Sequence, residues 1–537
     1  MITKLTQELN SFLFFRSRFF NFLINNNFDN KIIFNPESLW KGNKTNGNKI
    51  LEGFLNYQKE TIYIGEKIWG DNHGSQQWTN YANSFKWISD IRLVATNEAR
   101  FFLRKNIIEW INTVDLSDQS IWNQEVLSKR IFYLLTNLSF FFETANEKFQ
   151  KDFAENLNKQ CIFLIKKFQK EKKNNKDIFS IKSIILASLC FNNLKSYYDF
   201  SIDLLIDLIN HSTKEGMHYL RSPSEHFFLL CSLIDIKNFL GTNKKKIPHE
   251  INQSIKEMTI VVNFFIMGDG RLAIFNKYDF INDKKIVNVL KKVSSKVRIP
   301  KISQCSRFHR ISKNKLIFIM DCGNPTKEKT YAGSLSFEFS HFSERIVVNC
   351  GSPFINNRDW NDAMRSTAAH SSLNINEINS SDIFFEKDTT TRLAQVFVQK
   401  SEREDNLWLD CAHTGYLKLF GITHRRKIHI DPNNFIIRGE ESFLRNKKNK
   451  KSNSLSYFLR FHLHPSIEVN VTTSKKKAVI KLRNNIGWEF ICSESKIEIG
   501  DGIYLGDNKI VQPNQHIIIK NYVEDYKKVK WLFRLIK

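Results

Sequence analysis

The chain has 537 residues, 42% of them hydrophobic and 25% charged, and its 80 Lys and Arg against 55 Asp and Glu give a formal net charge of +25. That length suffices for two or three domains and a large core. No apolar run is long enough to span a bilayer as a helix. The cysteines (Cys161, Cys190, Cys231, Cys305, Cys322, Cys350, Cys411 and Cys492) are scattered without a CxxC pair, which excludes a zinc ribbon or a dense disulfide framework and reads as buried thiols.

From the N-terminus, Ser11 to Phe20 is apolar but broken by Arg16 and Arg18, with no small-residue cleavage site. It makes a poor signal peptide. It has the make-up of an amphipathic helix that lies on a membrane surface or packs on its own domain. Residues 31–80 carry Pro, Gly and Asn punctuation and a strand-like Thr61-Ile62-Tyr63-Ile64, predicting an extended arm. From about 83 to 265, apolar residues recur at three- and four-residue spacing, as in Leu103-Ile107-Ile108-Ile111 and Val126-Ile131-Leu134-Leu135-Leu138. Further helices are predicted near 149–168, 181–190, 198–209, 224–240 and 251–265. Successive helices without a strict repeat predict an α/α-toroid of helix hairpins rather than a solenoid.

Gly268-Asp269-Gly270 ends the last helix, since glycine supplies the left-handed backbone that terminates helices. A basic stretch with Lys284, Lys285, Lys291 and Lys292 runs to Pro300. The predicted domains are 1–80, an N-terminal helix and arm; 81–300, the toroid; and 301–537, a β domain. From about 310, short alternating runs such as Leu316-Ile319, Val396-Val398, Tyr457-Phe461, Ala478-Ile480 and His516-Ile519 predict an antiparallel β-sandwich. The Lys/Asn-rich run from Arg445 to Ser452 is predicted as a solvated loop.

Several segments stand out by their order along the chain. In the helical half these are Glu215-Gly216-Met217-His218-Tyr219-Leu220-Arg221-Ser222-Pro223-Ser224-Glu225-His226 and Gly268-Asp269-Gly270-Arg271-Leu272-Ala273-Ile274-Phe275-Asn276. In the β half they are Ala332 to Phe339, Arg345 to Gly351, Arg365 to Leu373, Ala412 to Tyr416, His424-Arg425-Arg426 and Phe461-His462-Leu463-His464-Pro465. In this order they resemble the heparinase II/III family, and within it the uncharacterised α-proteobacterial-type branch. The resemblance implies a toroid followed by a β-sandwich, and a polysaccharide lyase chemistry. β-Elimination on a uronic acid needs a group that neutralises the carboxylate, a base for the C5 proton and an acid for the leaving oxygen.

Carried over by residue, the family's Tyr-His pair is matched by Glu225 and His226. Its His-Gly-His is matched by Lys329-Thr330-Tyr331, its zinc-binding Asp by Asn349, and its third zinc ligand by His370. The helices hold no Asn-His pair to bind a carboxylate. With two of three zinc ligands changed, no family-type zinc is expected, since Tyr331, Asn349 and His370 make a poor zinc shell.

The expected acid–base residues are therefore His370 and His226, with Glu225 as a replacement base. Each has a structural alternative: a satisfied histidine in both cases, and a carboxylate favoured by the helix N-terminus at Glu225. The expected substrate-binding residues are Arg221, whose planar fork suits a carboxylate, with His218 and Arg425; an internal salt bridge is the alternative for Arg221. His462 and His464 share one strand face and read as metal ligands or a polar sheet surface. Trp78, Tyr81, Trp87, Trp110 and Trp122 read as core or as stacking faces for sugars.

The net charge attracts polyanions such as nucleic acid, anionic lipid or acidic polysaccharide, although an AT-rich coding sequence also produces a Lys-rich chain. The expected partner is an acidic polysaccharide. Peripheral membrane contact through the first helix is the second expectation, and no nucleic-acid motif appears. Two functions follow: a metal-independent lyase-like enzyme, or a catalytically silent binder of anionic glycans in envelope polysaccharide metabolism.

Overall fold

The structure is a computed structural model that describes residues 30–536 apart from 59, 71–73, 115–117, 119, 171–176, 214–215, 294–297, 328–329, 353–357, 385–390, 446–453, 494–495, 508–509 and 525–526. The segment Ser11–Phe20 and all but Arg445 of the charged loop lie outside the described residues. By contacts the chain forms two compact units, residues 1–210 with 231–252 and residues 211–230 with 253–537.

The first unit is helical, as the periodicity predicts. Its helices are α1 (Lys44–Leu51), α2 (Gln76–Asn83), α3 (Ile88–Arg92), α4 (Asn97–Thr113), α5 (Gln124–Leu135), α6 (Leu138–Phe141), α7 (Glu147–Lys170), α8 (Ile178–Cys190) and α9 (Tyr198–Ser212). Side-chain caps set several of the starts. Asn43, Thr96, Asn123 and Asp177 each accept a hydrogen bond from a backbone N–H in the following first turn. The Asn43 cap explains why part of the expected extended arm is helix α1, which leads into a hairpin of β1 (Phe54–Tyr57) and β2 (Glu60–Tyr63).

Helix α8 is buried from Ser180 to Cys190. Its Lys182 therefore needs a partner. The ammonium bonds Asp235 at 3.3 Å and lies over the rings of Phe132 and Phe179. Of the aromatics singled out in the sequence, Trp78, Trp87, Trp110 and Trp122 are buried in the core and Tyr81 is half-buried, and the buried Arg130 guanidinium lies over the rings of both Trp110 and Trp122.

Helices α10 (Pro223–Thr242), α11 (His249–Phe265) and α12 (Asp283–Lys292) precede the sheets. Helix α10 opens as predicted, with Pro223 first and Glu225 in the first turn, and the Ser222 hydroxyl accepts from the Glu225 N–H. The basic stretch contains a helix over 283–292. Asn282 caps it, and Ile286 and Val289 are buried while the lysines are not.

The β domain contains two antiparallel sheets. One has the strand order β17-β18-β13-β7-β6-β5-β4-β3, with the short β8 (Leu373–Ile375) beside β13. Its strands are β3 (Ile302–Cys305), β4 (Phe308–Lys313), β5 (Leu316–Asp321), β6 (Phe337–His341), β7 (Glu344–Val348), β13 (Ser456–Leu463), β17 (Ile497–Tyr504) and β18 (Gln512–Tyr522). The other has the order β14-β15-β16-β19-β12-β11-β10-β9. These are β9 (Val396–Arg403), β10 (Asn406–His413), β11 (Ile422–Asp431), β12 (Ile436–Arg445), β14 (Glu468–Val471), β15 (Lys477–Lys481), β16 (Gly487–Cys492) and β19 (Lys528–Leu535).

Alternation along β10 and β11 is strict, every second residue being buried. The inward residues of both sheets make one core, including Phe337, Phe339, Leu459, Phe461, Phe490, Trp531 and Phe533. Cys322 and Cys411 meet within it, their sulfurs 3.6 Å apart. Seven of the eight thiols are buried, as expected, and Cys305 is half-buried.

Candidate functional site

Three loops of the second unit, together with Ser352 from the loop after β7, meet around Tyr331. One holds Lys277 and Tyr278, beyond the Gly268-Asp269-Gly270 turn. Another leads into β6 and carries Tyr331. The third follows a helix at Arg358–Arg365 and carries His370. The Tyr331 hydroxyl contacts the Ser352 hydroxyl at 2.9 Å, and the same Ser352 oxygen accepts from the Tyr278 N–H. The rings of Tyr331 and His370 meet edge to face, with centroids 6.3 Å apart. Burial pushes the Tyr331 phenol up, against the pull of the Ser352 hydrogen bond and of the Arg365 and Lys277 charges.

His370 is buried, and its Nδ1 is 2.7 Å from the Ser366 carbonyl oxygen, so Nδ1 carries the proton and donates. The Nε2 lone pair is then free, with no hydrogen-bond partner among the described residues. Burial lowers the ring to about 4, although the Ser366 carbonyl opposes this. His370 is thus a neutral imidazole with one fixed and one unbonded nitrogen. Gly333 makes room for it, since a β-carbon there would lie 2.4 Å from the ring.

Glu225, expected as a base, is ion-paired with the Lys277 ammonium. Burial pulls Lys277 down, but Glu225 and Asp279 outweigh it and hold it above its ordinary value. Tyr331 thus has a neutral imidazole against its ring and feels the charge of a held cation.

The other expected site residues are placed elsewhere in this unit. Arg221 donates from Nη2 to Asp321 at 2.7 Å and to the Ser306 carbonyl at 3.1 Å, and its guanidinium lies over Phe308. The internal salt bridge is the observed role. His226 has both ring nitrogens committed: Nδ1 accepts from the His218 N–H, and Nε2 donates to the Met258 carbonyl, each at 3.1 Å. Burial lowers it to about 3, so it is a neutral, structural tie. The His218 Nδ1 accepts from the Leu220 N–H, bracing the same turn.

Arg425 faces outward from β11 and pairs with Asp410. Its neighbours His424 and Arg426 are fully buried rather than exposed. His413 Nδ1 accepts from the Gly415 N–H, its Nε2 donates to His424 Nδ1 at 3.0 Å, and His424 Nε2 donates to Glu441 at 2.6 Å. Arg426 bonds the other Glu441 oxygen at 2.8 Å and reaches the carbonyls of Leu335 and Ser371. The histidine and arginine motifs of the β half are thus one buried network. His462 and His464 are buried too, not a sheet surface. His462 contacts Cys350 and the Ala368 carbonyl, while His464 bonds Ser466 and faces Asp507.

A second buried network fixes the loop that carries Lys277. Arg345 bonds Asp269 and the Leu272 carbonyl, and Glu338 accepts from the N–H groups of Ile274 and Asn349. Burial raises Glu338 to about 7, against the pull of Arg345. Asp269, buried but gripped by Arg345 and Arg271, is held well below the usual carboxylate range.

The positions matched to zinc ligands do not form a zinc shell. Asn349 donates to the Ile274 carbonyl and accepts from the Ser371 N–H, so both ends of its amide are engaged. Tyr331 is bonded to Ser352, and Lys329 lies outside the described residues. Only His370 Nε2 is a donor of the kind zinc prefers, and a hydroxyl and an amide in place of imidazole and carboxylate do not fit the metal.

Lys277 is the residue that sequence reasoning missed. It directly follows Asn276, where the quoted Gly268 motif ends, and a lone lysine in a Lys-rich chain carries no signal of its own.

Comparisons with known proteins agree with this architecture. Residues 304–532 match the family described as heparinase II/III-like, C-terminal. FtsZ-localized protein C of Caulobacter vibrioides (strain NA1000 / CB15N) is 24% identical over 514 residues, which cover 90% of this chain and 87% of that one. Among solved structures, heparinase III superposes with a TM-score of 0.74 at 13% identity, covering 98% of this chain and 89% of its own. A mutant of the heparan sulfate lyase HepC from Pedobacter heparinus gives 0.67 at 13% identity over 95% and 86%. These likenesses show the fold, a helical toroid region followed by an antiparallel β-sandwich, as the sequence predicts.

Proposed function

Since this chain belongs to the heparinase II/III family, we propose that it is a lyase-like protein that acts on an acidic, uronate-containing polysaccharide by β-elimination, without the family-type zinc. The observation that carries the reading is the Tyr331 side chain, whose ring meets His370 and whose phenol feels the charge of Lys277. Lys277, kept charged by Glu225, neutralises the sugar carboxylate and so acidifies the C5 proton. His370 Nε2 takes that proton. The electrons of the C5–H bond form the C4–C5 double bond, the C4–O bond breaks, and the leaving oxygen takes the Tyr331 proton. Glu225 holds Lys277 rather than acting as base, and His226 positions the turn that bears Arg221.

The test mixes the full chain with a panel of uronate polymers and follows the absorbance of the unsaturated uronate. A rise lost in both His370→Gln and Lys277→Met supports elimination at this site. A rise that survives both changes overturns it.

A second reading is favoured by the Glu225–Lys277 ion pair and by the commitment of both His226 nitrogens. In it the chain is a catalytically inactive binder of anionic glycans in envelope polysaccharide metabolism. Binding without any absorbance change on the same panel identifies it. The name of the Caulobacter relative records localisation with FtsZ. Carried to this chain, it makes co-localisation with FtsZ an expectation that a fluorescent fusion reads directly.

A further inference from the structure

The outer face of the sheet that contains β9 to β12 bears a depression of about 940 Å³, on strands that hold none of the Tyr331 cluster. Strand register fixes what lies side by side there. One row crosses six strands as Ser401, Trp408, His429, Arg438, Leu532 and Ile491, each the cross-strand partner of the next. The row beside it reads Gln399, Asp410, Lys427, Glu440 and Lys530. From Trp408 to Ile491 is four strand spacings, roughly 19 Å.

The chemistry of the two rows is uneven. Trp408 stacks on His429 with centroids 4.6 Å apart and planes 17° apart. Its other cross-strand neighbour is the small Ser401, which leaves that side of the indole uncovered by a large side chain. His429 donates from Nε2 to Asn406 and accepts from Arg438, so it is a neutral, fixed platform. Leu532 and Ile491 add an apolar floor. The two carboxylates are already paired, Asp410 with Arg425 and Lys427, and Glu440 with Lys528. Arg438 and Lys530 have no carboxylate partner among the described residues. They are diagonal neighbours on adjacent strands, within reach of one ligand.

We propose that this groove is a second glycan-binding site, which takes a segment of acidic polysaccharide. The apolar face of a sugar ring stacks on Trp408 and rests on Leu532 and Ile491. The carboxylate or sulfate groups meet Arg438 and Lys530, where charge-assisted hydrogen bonds are strongest. The site goes beyond the proposed elimination and does not depend on it.

The experiment measures binding of the full chain to hyaluronan and polygalacturonate, which carry carboxylates, and to heparin, which also carries sulfates. Neutral dextran and poly-glutamate run as controls. The variants are Trp408→Ala and the exposed charge reversal Arg438→Glu/Lys530→Glu, with His370→Gln beside them. The expected result is an acidic glycan that binds in a salt-sensitive way, weakened about tenfold or more by each groove variant, while His370→Gln reads elimination alone. The arm that binds distinguishes carboxylate from sulfate recognition. Binding that both groove variants leave intact overturns the proposal. So does the absence of binding to every acidic glycan, or equal groove-dependent binding of poly-glutamate. Loss of elimination with groove binding retained separates failure of the earlier reading from failure of this one.

Discussion

Arg221 and Asp321 are joined fork to fork, Nη2 to Oδ1 at 2.7 Å and Nη1 to Oδ2 at 3.3 Å. Both side chains are largely buried, and Arg221 holds a left-handed backbone at φ 52°. Gly323 packs so close that a β-carbon there would lie 2.2 Å from the guanidinium. Arg221 therefore belongs to the scaffold. Arg221→Ala strands a buried carboxylate and is expected to lower stability by about 3 kcal/mol. Gly323→Ala is expected to destabilise by displacing the same guanidinium. Urea unfolding of the two variants checks both.

The acidity of His370 sets a pH profile. Burial holds the ring near 4, so it stays an unprotonated acceptor down to about that pH. The ascending limb of kcat/KM for elimination is expected near pH 4, rather than near the ordinary histidine value of 6.5. A profile that rises only near 6.5 would assign the base to another histidine.

Several buried histidines share this direction: His226 is lowered to about 3, and His309, His370 and His516 to about 4, all mainly by burial. The unfolded chain binds their protons at about 6.5, above the folded values, so it holds more protons throughout that window. Stability is then intact above pH 6.5 and falls as pH drops towards 4, by up to about 1.4 kcal/mol per pH unit for each such histidine. Denaturant midpoints measured from pH 8 to 4.5 are expected to drop steeply below 6.5, and less steeply in His516→Gln.

Glu441 is fully buried and accepts from His424, Arg426 and Trp531. Glu441→Leu leaves the Arg426 charge without its counter-ion and is expected to cost about 3–5 kcal/mol. Glu441→Gln keeps the shape and is expected to cost less. Thermal unfolding of the pair measures the difference.

Much of the fold was legible because periodicity reports burial directly. The three-to-four spacing of Leu103, Ile107 and Ile111 and the alternation through Tyr457, Leu459 and Phe461 translate into helix α4 and strand β13. Segments ruled by capping rather than periodicity were harder to read. Helix α1 owes its place in the arm to one Asn43 side chain, and α12 hides its apolar stripe among lysines. The site was less legible still. A histidine motif does not say what will cover its ring, and His413, His424 and His462 are all buried. Lys277 pairs with Glu225, 52 residues earlier, and Tyr331 with Ser352, 21 residues later. Such pairings exist only once the loops have met.

Arg426 belongs to one sheet, yet it binds carbonyls at Leu335 and Ser371, in loops that lead into strands β6 and β8 of the other. A guanidinium held this way resists shear, because sliding one sheet over the other breaks bonds at both ends of a buried charge. The sandwich then has no inexpensive route to open by halves. Amide hydrogens of β6 and β11 should exchange at a common, slow rate set by global unfolding, so that the sheets melt as one cooperative body.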